Sequence, residues 1–137
     1  MIRRVFSLRK EMLWDCFYIA NQFVDAALLA SWAQLKYKVD SGQVVLFVDE
    51  KDNGFLRGFL LGGLESNVAV VNNLFVDKRF QRGGVGSALL QAYEDFARSG
   101  GMQQIKLQSR PTKQAMAFYQ KNGYAKIDFG YNMQKTL

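Results

Sequence analysis

The sequence predicts an α/β (α+β) fold in which a mixed central β-sheet is flanked by helices, in the order β-α-α-β-β-β-α-β-α-β-β. Three observations carry this expectation. Apolar periodicity switches repeatedly between helical spacing and short strand-length runs. Those runs are near-continuous rather than alternating, as in strands covered on both faces. The chain has 137 residues, 49% hydrophobic and 14% aromatic, which is enough to bury a proper core. Residues 1–137 are therefore expected to form a single domain, with helices on both sides of the sheet.

Taken in order, Ile2 to Leu8 fits a short first strand. From Lys10 the period changes, and Leu13, Phe17, Ala20 and Val24 fall at helical spacing. A second helical pattern runs through Leu28, Trp32 and Leu35 until Asp40-Ser41-Gly42 breaks it. Met12, Trp14, Tyr18 and Phe23 widen the apolar surface beyond one stripe. Val44 to Val48 is the next strand, followed by the hairpin signal Asp52-Asn53-Gly54. Phe55 to Leu64 and Val68 to Val76 are two further strands joined at Ser66-Asn67. The helix through Ser87 puts Leu89, Leu90, Tyr93, Phe96 and Ala97 on one face and stops at Ser99-Gly100-Gly101. Ile105 to Gln108 is a strand, Lys113 to Lys121 a helix ended by Asn122-Gly123, and Tyr124 to Ile127 and Tyr131 to Thr136 close the order as strands.

Composition excludes several chemistries. The chain has no histidine, so Ser-His and Cys-His catalysis and histidine metal sites are ruled out. Its one cysteine, Cys16, lies within a helical apolar pattern and reads as a buried thiol. No metal is expected. The net charge of +6 suits an anionic ligand. The basic residues are scattered rather than grouped, so nucleic acid is not indicated as a partner. The segment Met1 to Glu11 has charges where a signal peptide needs an unbroken apolar core, and no run is long and apolar enough to span a bilayer. A cytoplasmic location without membrane association is expected.

Between the third apolar run and the next helix lies Gln81-Arg82-Gly83-Gly84-Val85-Gly86. Glycines at a strand-to-helix turn let backbone N–H groups come close to a ligand, since no Cβ stands in the way. The helix start adds unpaired donors and the positive end of the dipole. Such a turn can cradle a phosphate, with Lys78, Arg79 and Arg82 alongside, or it can simply be tight. Spacing excludes a Walker A loop, because Gly86 is followed by Ser87-Ala88. It also excludes the dinucleotide fingerprint, whose third small position falls on Leu89.

The segment Gln81-x-x-Gly84-x-Gly86 resembles the Gln/Arg-x-x-Gly-x-Gly/Ala signature of the GNAT superfamily of acyl-CoA-dependent N-acetyltransferases. Leu74-Phe75-Val76-Asp77 is similar to the strand end that leads into that signature, and Ala115 to Tyr124 to the family's Ala-x-x-x-Tyr-x-x-x-Gly-Phe segment. The element order agrees over essentially the whole chain. The resemblance implies a GNAT-like domain that moves an acetyl group from acetyl-CoA, as co-substrate, directly to a primary amine of a small molecule or peptide. It implies that the backbone of Leu74, Phe75 and Val76 binds the pantetheine arm as an added strand would. One of these N–H groups would hold the developing oxyanion. Gln81, Arg82, Gly83, Gly84, Val85, Gly86 and Ser87 would wrap the pyrophosphate, and Tyr119 would protonate the departing CoA thiolate.

Two departures from the family pattern stand out. Thr112 occupies the position where many members have a pantetheine-binding Asn. No acid lies in Val68-Ala69-Val70-Val71-Asn72-Asn73, where many members carry a glutamate. The base is then Glu65, a more distant carboxylate, or a water held by Asn72 or Asn73. The acceptor would be chosen by Lys10 to Gly42 and parts of the last strands, whose aromatics suit an apolar or aromatic amine and whose Asp15, Asp25 and Asp40 could meet a cation. The alternative to an enzyme is a CoA-binding module of the same fold without turnover. A homodimer is compatible with either reading.

Overall fold

In the computed structural model, residues 1–24 and 34–137 are described. The elements are β1 (Ile2–Val5), α1 (Lys10–Ala20), α2 (Leu35–Asp40), β2 (Val45–Glu50), β3 (Leu56–Glu65), β4 (Val68–Val76), a 3₁₀ turn (Lys78–Phe80), α3 (Val85–Ser99), β5 (Gln104–Gln108), α4 (Lys113–Lys121), β6 (Ala125–Lys126) and β7 (Asn132–Thr136). The seven strands form one sheet in the order β1-β2-β3-β4-β5-β7-β6. Only β4 and β5 run parallel. A parallel pair needs a crossover, and α3 supplies it. The expected mixed sheet with flanking helices, and the expected element order, are both found.

Each face of the sheet has its own core. On one, α1 and α2 bury Met12, Cys16, Ile19, Leu35 and Val39 against Leu46, Val48, Phe59, Leu61 and Phe75. On the other, α3 buries Val85, Leu89, Leu90, Tyr93 and Ala97 against Phe47, Leu60, Ala69, Val71, Ile105 and Met133. The continuous burial of Val45 to Asp49 in β2 follows from this double cover. Among the described residues the first core takes none from β5 or β7, and Lys106, Gln108 and Asn132 are exposed on that side.

The feature that shapes the rest is a β-bulge. Phe59 pairs with Phe75, Leu60 with Leu74 and Leu61 with Asn73, but Gly62 pairs with Val71, leaving Asn72 as an extra residue in β4. A bulge shifts the alternation by one. Ala69 and Val71 face α3, and after the bulge Leu74 and Val76 face it too, while Phe75 enters the α1 core. Pairing of β4 with β5 also ends at Val71–Leu107, so the two strands part beyond the bulge. The Tyr93 hydroxyl lies 3.0 Å from the Gly63 carbonyl and 2.9 Å from that of Val70, offering a donor to a register pair one step from the irregularity. Gly62 makes room for it: a Cβ there would collide with the Tyr93 ring and stand 2.7 Å from the Val70 carbonyl oxygen.

Several local expectations are corrected. The strand expected from Ile2 to Leu8 stops at Val5, because the Leu8 N–H donates to the Asp40 carboxylate (2.8 Å) and its side chain turns into the core. The buried stripe of α1 is Met12, Cys16, Ile19 and Ala20, with Leu13 and Phe17 only flanking it. That register is one residue from the expected one, as a broadly apolar helix permits. Val24 follows the end of α1, while Leu28 and Trp32 lie outside the described residues. Val68–Val76 and Lys113–Lys121 occur as expected. Cys16 is buried, and desolvation pushes its thiol pKa well above the ordinary value. Among the described residues no helix is long and apolar enough to cross a membrane.

Gly62→Ala is therefore expected to destabilise the fold by about 1–3 kcal/mol through overpacking. Tyr93→Phe is expected to cost a similar amount by leaving carbonyls without a donor, about 1–3 kcal/mol. Urea unfolding monitored by circular dichroism measures both, and wild-type midpoints would refute the role given to this pair.

Candidate functional site

Where β4 and β5 part, a cavity of about 700 Å³ opens, bounded by β4, the loop before α3, the end of β5 and α4. Along one wall runs Leu74, Phe75 and Val76, whose β5-facing edge has no neighbouring strand among the described residues. At one end stand Gln81, Arg82, Gly84, Val85, Gly86 and Ser87, and across from β4 stand Thr112 and Tyr119. These are the sequence-predicted site residues, brought together with one exception. Gly83 lies in the loop but does not line the cavity.

The geometry of the loop follows from its sequence. Asp77 caps the 3₁₀ turn, accepting from the Arg79 backbone N–H (2.9 Å) and from its guanidinium (2.8 and 3.1 Å). The Arg79 hydrogen bonds hold this buried carboxyl below the usual carboxylate range. Arg79 is thus committed to Asp77 and does not line the cavity, whereas Lys78 and Arg82 do. Gly84 has φ +82 at the N-cap of α3, with nothing within 4 Å of where its Cβ would be. The αL conformation costs a residue with a Cβ roughly 1–2 kcal/mol, and the open space is what an approaching ligand needs. The first-turn N–H groups of α3 are left for a ligand. With the helix dipole they make an anion receptor.

Tyr119 projects from α4 beside Phe118 and Tyr124, with ring centroids 5.1 and 5.9 Å away. Among the described residues its hydroxyl has no hydrogen-bond partner. Burial pushes its pKa up to about 12, and the nearby Arg110 guanidinium works in the opposite direction. The phenol is accordingly held protonated. Its mount is rigid. The Tyr124 hydroxyl donates to Glu94 Oε2 (2.8 Å) and Lys135 Nζ to Glu94 Oε1 (3.0 Å), with Glu94 buried on α3. Lys135 also reaches the Asn122 carbonyl at the end of α4 (3.0 Å), tying α3, α4 and β7 together. Thr112 caps α4, its Oγ1 accepting from the Ala115 N–H (3.1 Å), which leaves its hydroxyl proton and one lone pair for a ligand.

The roles of Phe23, Gln22 and Arg110 at this site escaped sequence reasoning. Phe23 stacks on Phe75 with centroids 5.5 Å apart, and the charged groups of Arg110 and Lys78 lie 5.1 and 5.6 Å from its ring centroid. Gln22 Oε1 accepts from the Lys78 N–H (2.9 Å). The segment following α1 is thereby drawn to both sides of the cavity. The only signal was the surplus of aromatics near Phe23. Arg110, next to the single proline, carried none.

A second cavity, of about 470 Å³, lies on the α1 face of the sheet, at the ends of β5 and β7 that no described helix covers. Val70, Asn72, Lys106, Gln108, Ile127 and Asn132 supply its side walls. It shares Val71, Asn72 and Gln108 with the larger cavity, so the two meet at the bulge. Among the described residues no Asp or Glu lines either one. Glu65 sits at the far end of β3, opposite Val68, and Asp40 is occupied by Lys36 Nζ (2.6 Å) and the Leu8 N–H. Asp15 lines neither cavity, and Asp25 lies outside the described residues. Of the bases expected from sequence, only Asn72 and Asn73, as holders of a water, are at the site.

The family model described as acetyltransferase (GNAT) family matches residues 9–124. The uncharacterised N-acetyltransferase YhfO of Bacillus subtilis (strain 168) is 29% identical over 98 residues, covering 67% of this chain and 66% of that protein. The chain thus spans just under two thirds of the length of this relative. A PaiA N-acetyltransferase from Thermoplasma acidophilum, solved in complex with coenzyme A, matches with a TM-score of 0.76 at 19% identity, covering 100% of this chain and 99% of that one. An acetyltransferase of the GNAT family from Staphylococcus aureus Mu50 matches with a TM-score of 0.83 at 13% identity, covering 100% and 99%. At such identities these two structures establish the shared fold.

Burial disfavours the phenolate of Tyr119, so the folded protein keeps its proton through the range in which a free tyrosine, at about pH 10, loses it. Phenolate absorbance of wild type and Tyr119→Phe should coincide up to about pH 10.5 and separate only above it. Separation near pH 10 would show that the hydroxyl is solvated.

Proposed function

The chain belongs to the acetyltransferase (GNAT) family, and on that premise we propose that it transfers an acetyl group from acetyl-CoA directly to a primary amine. The observation that carries the proposal is the unpaired edge of β4 beyond Asn72, with the α3 N-terminus at one end and Tyr119 facing it. The N–H groups at the start of α3, with Lys78 and Arg82, suit a pyrophosphate. Each such contact is worth about 0.3–2 kcal/mol, so anchoring relies on several together. The edge of Leu74 to Val76 offers an extended arm the hydrogen bonds of an added strand. One of its N–H groups is suited to the oxyanion.

The reaction balances without a further reagent. The neutral amine attacks the thioester carbonyl carbon, a C–N bond forms and the C–S bond breaks. The Tyr119 hydroxyl gives its proton to the leaving sulfur, and Arg110 favours the phenolate that results. The ammonium proton passes to water, for which Asn72 and Asn73 are the polar side chains at hand, and the phenolate recovers a proton from solvent. Direct attack is preferred to an acyl-enzyme, since Cys16 is buried, its thiol is held protonated, and there is no histidine. The acceptor is a small-molecule or peptide amine.

The lack of a lining carboxylate among the described residues favours one rival, a CoA-binding module without turnover. Thiol release from acetyl-CoA with a panel of amines separates the two. Tyr119→Phe should lower kcat by about 10²–10⁴-fold while CoA still binds. Wild-type turnover by that variant across the pH range would remove Tyr119 from the mechanism. Gly84→Glu should abolish CoA binding in a calorimetric titration, since it puts a Cβ in an αL position and a negative charge at the proposed phosphate cradle. Retained binding would move the anchor away from this loop.

A further inference from the structure

The smaller cavity contains one charged side chain among its described lining residues, Lys106. Lys106 lies on β5 two residues before Gln108, on the open face of the sheet, paired across the backbone with Val70 and Gln134. Among the described residues it has no carboxylate partner, whereas Lys36, Arg57, Arg79, Arg98 and Lys135 are each paired with one. The other polar walls are amides, from Asn72, Gln108 and Asn132. The carboxylate of Asp128, next to Ile127, accepts from Asn132 Nδ2 (2.6 Å) and from the Gly130 N–H (2.8 Å). A polyamine or a many-amine sugar needs carboxylates to meet its charges, and here it would face a lone ammonium.

We propose that this cavity is the acceptor site and that Lys106 selects an amine that also carries an oxyanion, a carboxylate or phosphate. This rests on the acyl-transfer reading above. The acceptor's amine is directed to the junction at Val71, Asn72 and Gln108, where the cavities meet. Its oxyanion lies toward Lys106, whose position is about 7 Å back along the strand at 3.3 Å per residue. The amides orient the acceptor without adding charge. Lys106 is a specificity-determining residue with no part in the chemical step.

The test is steady-state thiol release from acetyl-CoA with four sets of amines: carboxylated amines, phosphorylated amines, their neutral amide or hydroxyl counterparts, and polyamines. Wild type should favour one of the first two sets over its neutral counterparts, and which one it favours distinguishes carboxylate from phosphate. Lys106→Gln should raise the KM of the favoured acceptor about ten- to hundred-fold, the value of a charge-assisted hydrogen bond, and leave the KM for acetyl-CoA where it was. Lys106→Glu should shift preference toward cationic amines. Thermal melts of both variants report folding. Preference of wild type for polyamines, or an equal loss of acidic and neutral acceptors in Lys106→Gln, overturns the inference while leaving the transfer reading intact. Binding of CoA without thiol release from any amine overturns the transfer reading and this inference with it.

Discussion

The hydroxyl of Tyr93, set between the carbonyls of Gly63 and Val70, fixes the place where β4 leaves the regular ladder. An inserted residue in a strand leaves backbone groups without partners, and a buried carbonyl with no donor is costly. Here a side chain from α3, the crossover helix itself, is positioned to supply a donor. It can do so only because residue 62 lacks a Cβ. The arrangement couples folding to the site. The contact lies one residue pair from the irregularity, and the parallel pairing with β5 ends at that same place, at Val71–Leu107, where the cavity begins.

A second constraint holds the opposite wall. Glu94 is buried with the Tyr124 hydroxyl and the Lys135 ammonium as partners. Burying an ion pair is not in itself stabilising, because desolvation offsets the attraction. Its effect here is geometric. Glu94 fastens α3, the end of α4 and β7 at one point, and the ring of Tyr124 then backs the ring of Tyr119. The loop before α3 and the phenol of α4 therefore keep a fixed separation. A reaction that needs its anchor and its proton donor in register depends on that.

Much of this was legible in the sequence because it resides in local chemistry. The glycine loop with Gly84, the helix from Lys113 to Lys121 and the apolar face of α3 are each written in a few neighbouring residues. The bulge was not legible. Val68 to Val76 reads as one apolar run, and the extra residue appears only when the strand is laid against β3. Arg79 was misleading for a similar reason. Its charge next to the loop suggests an anion, but its partner Asp77 lies two residues away and is buried. Phe23 and Arg110 come from distant parts of the chain and meet over Phe75, a coincidence that no spacing rule can express. Lys106 carried no signal in the sequence, and its position gains meaning only from the sheet face it occupies, over which no core residue of the described helices packs β5 or β7.

The alternation along β5 and β7 has a further consequence, for how such a protein can change over generations. Ile105, Leu107 and Met133 hold the core on the α3 side, while the intervening Lys106, Gln108 and Asn132 face the uncovered side. Exposed positions away from caps and networks usually tolerate substitution within about 0.5 kcal/mol. The opposite wall, by contrast, presents main-chain groups that no side-chain replacement removes. Variation can thus rewrite one surface of the sheet at almost no expense in folding, while the backbone features beside it stay constant. The period-two geometry of two short strands separates what is free to drift from what is held.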